Sequence, residues 1–211
     1  MLGPISSGTT LTGSLTMTSG DLLYLAVSEA GTLNANTTVG TVSGCAAGWT
    51  QDEVGNYSGT GSGTVFHASS NTTGSCLITV TLASSNAASA TAYDVPFGTA
   101  TVDDLVARTT APALNPNLAT GSAPTFHNLD VLIAALGAYS ASGSWNGALL
   151  DSIGTVVDDG PHNGVGLLGD QGHQLLTTTG SYDVYRLISG NAGGGAALVA
   201  YELKPTPTPT P

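Results

Sequence analysis

The side chains best equipped for chemistry are four histidines, fourteen carboxylates and two cysteines. A nucleophilic triad would set a serine or cysteine beside a histidine that a carboxylate orients. No Gly-x-Ser-x-Gly elbow occurs in the chain. His67 reads as a mid-strand residue next to Phe66, His127 precedes a strand, and His162 and His173 fall in a Gly-rich loop region. All four are expected to be surface or internally satisfied histidines. Gly164-Val165-Gly166-Leu167-Leu168-Gly169 has the form of a dinucleotide fingerprint. That motif works only between a strand and a helix whose N-terminus faces the pyrophosphate. Here Asp170-Gln171-Gly172-His173 follows and reads as a turn, so no nucleotide is assigned. Asp158, Asp159 and Asp170, with His162, make the densest acidic region. Carboxylates and loop carbonyls suit Ca²⁺, but the spacing matches no EF-hand pattern, and no metal is assigned. Asp103-Asp104 reads as a solvated turn. A glycosidase would need two carboxylates in an aromatic-lined groove, and only 6 % of the residues are aromatic. The expectation is therefore a chain with no catalytic residue, no cofactor and no metal. Cys45 and Cys76 either form one disulfide or stay as two buried thiols.

Composition narrows the partners. Charged residues are 8 % of the chain, against roughly 25 % in an average soluble domain. Arg108, Arg186 and Lys204 stand against 14 acidic residues, for a net charge of -11. Nucleic-acid binding draws on Lys and Arg neutralising phosphates. Three scattered cations make no basic track, so nucleic acids and anionic membranes are set aside. The exterior is expected to be neutral and rich in hydroxyls, which costs little side-chain entropy to order against a neighbour. No run reaches the ~20 apolar residues of a membrane helix. Met1 to Ile5 has neither a basic n-region nor an apolar h-region, so no Sec signal is expected.

These side chains must be carried by short strands. Gly, Asn, Ser and Pro punctuate the chain every few residues. Thr10–Thr18 alternates apolar and hydroxyl residues, the period of a half-buried strand. Asp21–Val27 is continuously apolar after its first residue and predicts a central strand. Gly63–Ala68, Cys76–Leu82 and Ala90–Val95 also predict strands, with Cys76, Ile78, Val80 and Leu82 on one face. Asn128–Leu136 has helical propensity, yet it aligns with the strand at 20–27 and is expected to be a strand too.

That alignment extends along the chain. Gly48-Trp49-Thr50 matches Ser144-Trp145-Asn146, and the segment ending Tyr93-Asp94-Val95 matches the one ending Tyr201-Glu202-Leu203. Trp49, Trp145, Tyr93 and Tyr201 are thus expected core markers of a repeat. The fold expected is an all-β antiparallel sandwich, jelly-roll-like, over residues 9–204. Its two pseudo-repeated halves are placed at about 9–101 and 120–204, joined by a crossover at 102–124 that carries Pro112, Pro116 and Pro124. Met1 to Gly8 is read as an arm. Residues 205–211, alternating Pro and Thr, are read as an extended tail.

The order of these signals, a Gly-Asp-Leu-Leu strand, a Gly-Trp-Thr turn, the Thr64–Ala68 strand, a Thr-Val-Thr-Leu strand and an Ala-x-Ala-Tyr strand, resembles duplicated β-sandwich proteins of phage virions and bacterial surfaces. The closing segment Leu198–Pro205 is similar to their last strand. The resemblance covers about Thr10 to Pro205 and implies a structural or attachment role, with no catalytic residues to carry over. The leading expectation is a decoration or cement protein at the virion surface, made in the host cytoplasm, since extracellular character without an export signal suits a particle component released by lysis. Its expected partners are itself, as a trimer, and a major capsid or tail protein. The competing expectations are a receptor- or carbohydrate-binding module and an extracellular filament subunit.

Overall fold

The computed structural model describes residues 2–31, 37–57, 60–96, 99–114, 116–140, 143–151, 156–159, 162–164 and 166–204. Period-two patterning and frequent glycine turns translate into strands alone among the described residues. The first six are β1 (Leu2–Met17), β2 (Leu22–Ala30), β3 (Val39–Ser43), β4 (Thr50–Tyr57), β5 (Gly61–Ser69) and β6 (Gly74–Val95). Then come β7 (Thr99–Leu114), β8 (Asn117–Ala119), β9 (Ala123–Thr125), β10 (Asp130–Tyr139), β11 (Ser144–Asp151) and β12 (Val157–Asp158). β13 (His162–Gly164), β14 (Leu167–Leu176), β15 (Gly180–Tyr182), β16 (Val184–Ser189) and β17 (Asn191–Lys204) complete the chain.

Two six-stranded antiparallel sheets dominate. The first runs β1-β6-β2-β5-β4 with β3 also on β6, and the second runs β12-β14-β10-β17-β7 with β13 also on β14. A three-stranded sheet β11-β16-β8 and the pair β15-β9 are smaller. β2 and β10 are central and buried on both faces, as their unbroken apolar runs require. One face of each packs on the other sheet, where Tyr24, Val65, Val131, Ile133, Val199 and Tyr201 form the shared core. The opposite faces carry separate cores. Leu23, Leu25 and Val27 of β2 meet Leu11, Ile78 and Val80, so the first part of β6, with β1, folds back over its own sheet. Leu132, Ala134 and Leu136 of β10 meet Trp145, Leu149, Val184 and Ile188 of the small sheet. The result is an antiparallel β-sandwich extended outward by a further layer on each side.

Glycine sets how closely the two large sheets approach. Stacked sheets ordinarily lie ~10 Å apart because side chains fill the gap. Here Gly55, Gly61 and Gly63 of the first sheet oppose Ala196, Gly137 and Ala135 of the second at backbone contact. A Cβ on Gly137 would stand 2.6 Å from the Glu29 carbonyl oxygen, and one on Gly55 would stand 2.7 Å from the Ala196 carbonyl carbon. The sheets therefore touch at this end and open toward the tyrosines at the other.

Several expectations need correction. Residues 102–124 are not a crossover: β7 is the long edge strand of the second sheet, paired from Asn191↔Leu114 to Lys204↔Thr99. Pro112 is compatible with it because an edge strand leaves one row of N–H groups unpaired. The chain passes between sheets instead between Val95 and Thr99. Leu2 to Gly8 is not a free arm but the start of β1, held on β6 through Leu2↔Ala90, Ile5↔Ala88 and Gly8↔Asn86. Asp170–His173 is not a turn but the middle of β14. Its glycines serve packing, since a Cβ on Gly172 would meet Leu149 Cδ2 at 2.5 Å and Val156 Cγ1 at 2.8 Å. Read along the chain, β1, β2, β4, β5 and β6 occupy the same places in one sheet as β7, β10, β12, β14 and β17 in the other. The registers differ, however. Tyr24 faces Tyr93, whereas Tyr201 faces Val131 and not Ile133, the residue aligned with Tyr24. The Pro-Thr tail at 205–211 lies outside the described residues.

Candidate functional site

Four groups of polar side chains bring carboxylates together with histidine, tyrosine or arginine. Two of them are built alike. Asp52 occupies a bulge in β4, between the pairs Gln51↔Phe66 and Glu53↔Val65, and the bulge turns its carboxylate toward the sheet interface. His67 Nδ1 lies 2.7 Å from Asp52 Oδ2, and Tyr201 of the opposite sheet donates its O–H to the same oxygen. Asp159, just after β12, lies 2.8 Å from His173 Nδ1 and accepts the O–H of Tyr93 at 2.7 Å. Each group takes its aspartate and histidine from one sheet and its tyrosine from the other. Burial and the adjacent Asp52 push the Tyr201 hydroxyl well above the usual phenol range, and burial with Asp159 does the same to Tyr93. Neither imidazole hydrogen-bonds a hydroxyl or thiol nucleophile among the described residues. The carboxylate–imidazole pairs here link β4 to β5 and β12 to β14, with the tyrosines fastening the sheets together.

The third group overturns the picture of an open acidic loop at Asp158 and Asp170. Arg186 of β16 reaches between them, 2.8 Å from Asp158 Oδ2 and 2.6 Å from Asp170 Oδ2. It also donates through Nε and Nη2 to the Gly147 carbonyl, and its guanidinium lies 5.6 Å from the centre of the Trp145 ring. Burial pushes the Asp170 carboxyl up to about 7, with Arg186 pulling the other way. A cation supplied by the chain itself fills the place a Ca²⁺ would take. Asp159 belongs to the tyrosine group instead, and His162 opens β13.

The fourth group was not legible as a site in the sequence. Asp103 is the extra residue of a bulge in β7, between Val102↔Tyr201 and Asp104↔Ala200, which turns its carboxylate inward. Only 4 % of that side chain is exposed, against the solvated turn expected. Asp130 opens β10 directly opposite Glu202 of β17. His127, in the loop before β10, places Nδ1 3.1 Å from Asp103 Oδ1 and Nε2 3.6 Å from Glu202 Oε1. Ligand atoms of Asp103, His127 and Asp130 all lie within 4.8 Å of one another. Asp130 is wholly buried, and neither of its carboxylate oxygens accepts a hydrogen bond among the described residues. Desolvation first, then Asp103, pushes its carboxyl up to about 6, with His127 acting in the opposite sense.

Cys45 and Cys76 are joined in a disulfide, with their Cα atoms 5.5 Å apart. It ties the turn before β4 to the first part of β6. Cys45 adopts φ 66°, directly after Gly44 at φ 89°. Trp49 lies in the same turn, half-buried against the outer core, and donates Nε1–H to the Gly44 carbonyl. Trp145 lies within β11, buried, and donates to the Gly169 carbonyl. Trp49 thus packs on the outward face of the first large sheet from a turn, and Trp145 on that of the second from a strand of the small sheet.

Comparison with family models, with curated proteins and with solved structures finds no match for this chain.

Proposed function

We propose that this chain is a non-enzymatic structural protein of a phage virion, a decoration or cement protein that associates with copies of itself and binds capsid subunits. The observation that carries the reading is the edge of the first sheet. β1 is sixteen residues long and, among the described residues, pairs on one side only, with β6. It contains no Asp, Glu, Lys or Arg. Edge strands of monomeric proteins are ordinarily guarded by charge, because their unpaired N–H and C=O groups template another strand. Pro4 and the register shifts between Leu2 and Thr10 interrupt the first part of β1, but the evenly paired stretch from Thr10 to Met17 offers an uncharged edge to a strand from a further copy or from a capsid subunit. The inward use of the polar side chains supports the same reading. The two Asp–His–Tyr groups and the Arg186 group fasten layers to one another, and neither imidazole pair holds a nucleophile.

Light scattering and native mass spectrometry on the full chain test self-association, with trimers expected at micromolar concentration. Lysine in place of Thr12 or Ser14, which are exposed on β1, should dissociate the oligomer and leave the circular dichroism unchanged. A chain that stays monomeric at high micromolar concentration contradicts the self-association. Particles purified from the source and imaged with a labelled antibody test the location, and a shell and tail both free of label reject it.

A further inference from the structure

We infer that Asp103, Asp130 and His127 form a binding site for one first-row divalent cation, Zn²⁺ or Mn²⁺, at the end of the second sheet. The reasoning starts from Asp130. A buried carboxylate is normally held by hydrogen bonds or by a countercharge. Asp130 is fully buried with both oxygens unpartnered, and a second carboxylate, Asp103, lies beside it. Arg186, by contrast, neutralises Asp158 and Asp170 within the same sheet system. The single lysine of the sequence does not do this here, because Lys204 Nζ pairs with Glu202 Oε2 at 3.2 Å. Among the described residues the basic group facing Asp130 and Asp103 is His127, which is 43 % exposed and so reachable by an ion from solvent.

The backbone holds the two carboxylate ligands on paired strands. The β7 bulge re-aims Asp103, and ladder pairing to Glu202 and Leu176 fixes Asp130. Asp103 Oδ2 accepts the Phe126 N–H at 2.8 Å, which leaves Oδ1 on the His127 side. His127 would coordinate through Nδ1, while the Glu202 carboxylate, 3.6 Å from Nε2, favours the tautomer that carries its proton there. A metal-bound imidazole is commonly oriented by a carboxylate in this way. Ca²⁺ prefers six to eight oxygen ligands, whereas two carboxylates and one imidazole suit Zn²⁺ or Mn²⁺ with water completing the shell.

The test uses the full chain stripped with chelator, titrated calorimetrically with ZnCl2 and with MnCl2, and melted with and without each salt. The expected result is one saturable equivalent, with a higher melting temperature in the metal-bound form. Asp130→Asn and His127→Ala should each abolish that equivalent, and Glu202→Gln should weaken it roughly ten- to a hundred-fold. Metal-free Asp130→Asn should melt no lower than the metal-free parent, since the amide removes an uncompensated charge, whereas a purely structural carboxylate would leave the variant less stable. If Asp130→Asn does not fold, Asp103→Asn and His127→Ala carry the comparison. Absence of saturable binding overturns the site. So does binding that persists in these variants, which would place the ion on the other histidines, or binding of CaCl2 with none of ZnCl2 and MnCl2.

Discussion

Replacing Gly137 by alanine is the sharpest test of how the sheets are joined. In an ordinary strand the change is favourable by about 0.5–1 kcal/mol, because glycine loses more backbone freedom on folding. Here the new methyl would stand 2.6 Å from the Glu29 carbonyl oxygen and 2.9 Å from the Glu29 nitrogen, with Ser62 closer still. These are backbone atoms of the opposite sheet, and they cannot rotate away as a side chain would. Gly137 itself is held between Gly169 and Gly195 in the ladder. Relief requires the sheets to move apart by about 1 Å, and a gap of that size forfeits a quarter to a half of each dispersion contact along the seam. Overpacking of a core costs about 1–3 kcal/mol when side chains can adjust. With backbone on both sides the loss should reach at least about 3 kcal/mol, or a fall of roughly 10 °C in melting temperature for a chain of this size. Gly48→Ala is the control, because a Cβ there meets nothing within 4 Å, and its stability should stay within about 1 kcal/mol of the parent. Urea unfolding followed by tryptophan fluorescence measures both. A Gly137→Ala protein as stable as the Gly48→Ala control would refute backbone contact between the sheets.

Glu29 is fully buried and its carboxyl is pushed up to about 7 by desolvation, with Asn86 acting the other way. The folded protein then keeps a proton that the unfolded chain releases from about pH 4.5, so stability is highest below that pH and falls as pH rises to about 7. The full span is of order 3 kcal/mol, and Glu29→Gln should flatten the pH dependence of the urea midpoint between pH 5 and 8. Arg186→Met removes the cation from between Asp158 and Asp170 and should cost about 3–5 kcal/mol by denaturant titration at pH 8, with less loss at pH 5, where Asp170 can hold a proton. Cys45→Ser opens the loop closed between Cys45 and Cys76. The expected loss is about 3–4 kcal/mol in chain-entropy terms, and reductant should destabilise the parent by a similar amount without affecting the variant.

The strands that carry strong period-two or unbroken apolar patterns were legible from residue order. Ile78, Val80 and Leu82 are buried while Leu77 is exposed, as alternation requires, and the run from Leu22 to Val27 is central, as its lack of polar residues requires. What escaped was structure whose cause lies in another strand. β7 was hidden because Asp103 interrupts its alternation, and that interruption is the bulge which turns the carboxylate inward. Gly169 and Gly172 resemble turn residues in the sequence, yet they lie in β14 because Ser28, Ser89, Leu149 and Val156 press against them. The two Asp–His–Tyr groups did leave a trace. Asp52, His67 and Tyr93 recur as Asp159, His173 and Tyr201 at nearly constant separation. The exchange of the tyrosines between sheets follows from the fold and not from residue order. The site around Asp130 has no comparable trace, since its members come from β7, β10, β17 and a loop.

β6 has one further consequence. A single unbroken strand of twenty-two residues lies in the outer layer near Gly74 and in the inner sheet near Val95. The covering layer is therefore the same length of chain as the middle of the molecule, and peeling at its tip pulls on the rungs that hold Tyr93. On this side the molecule has no loosely attached skin to shed: strain at the periphery is handed inward, and the outer layer and the inner sheet yield together.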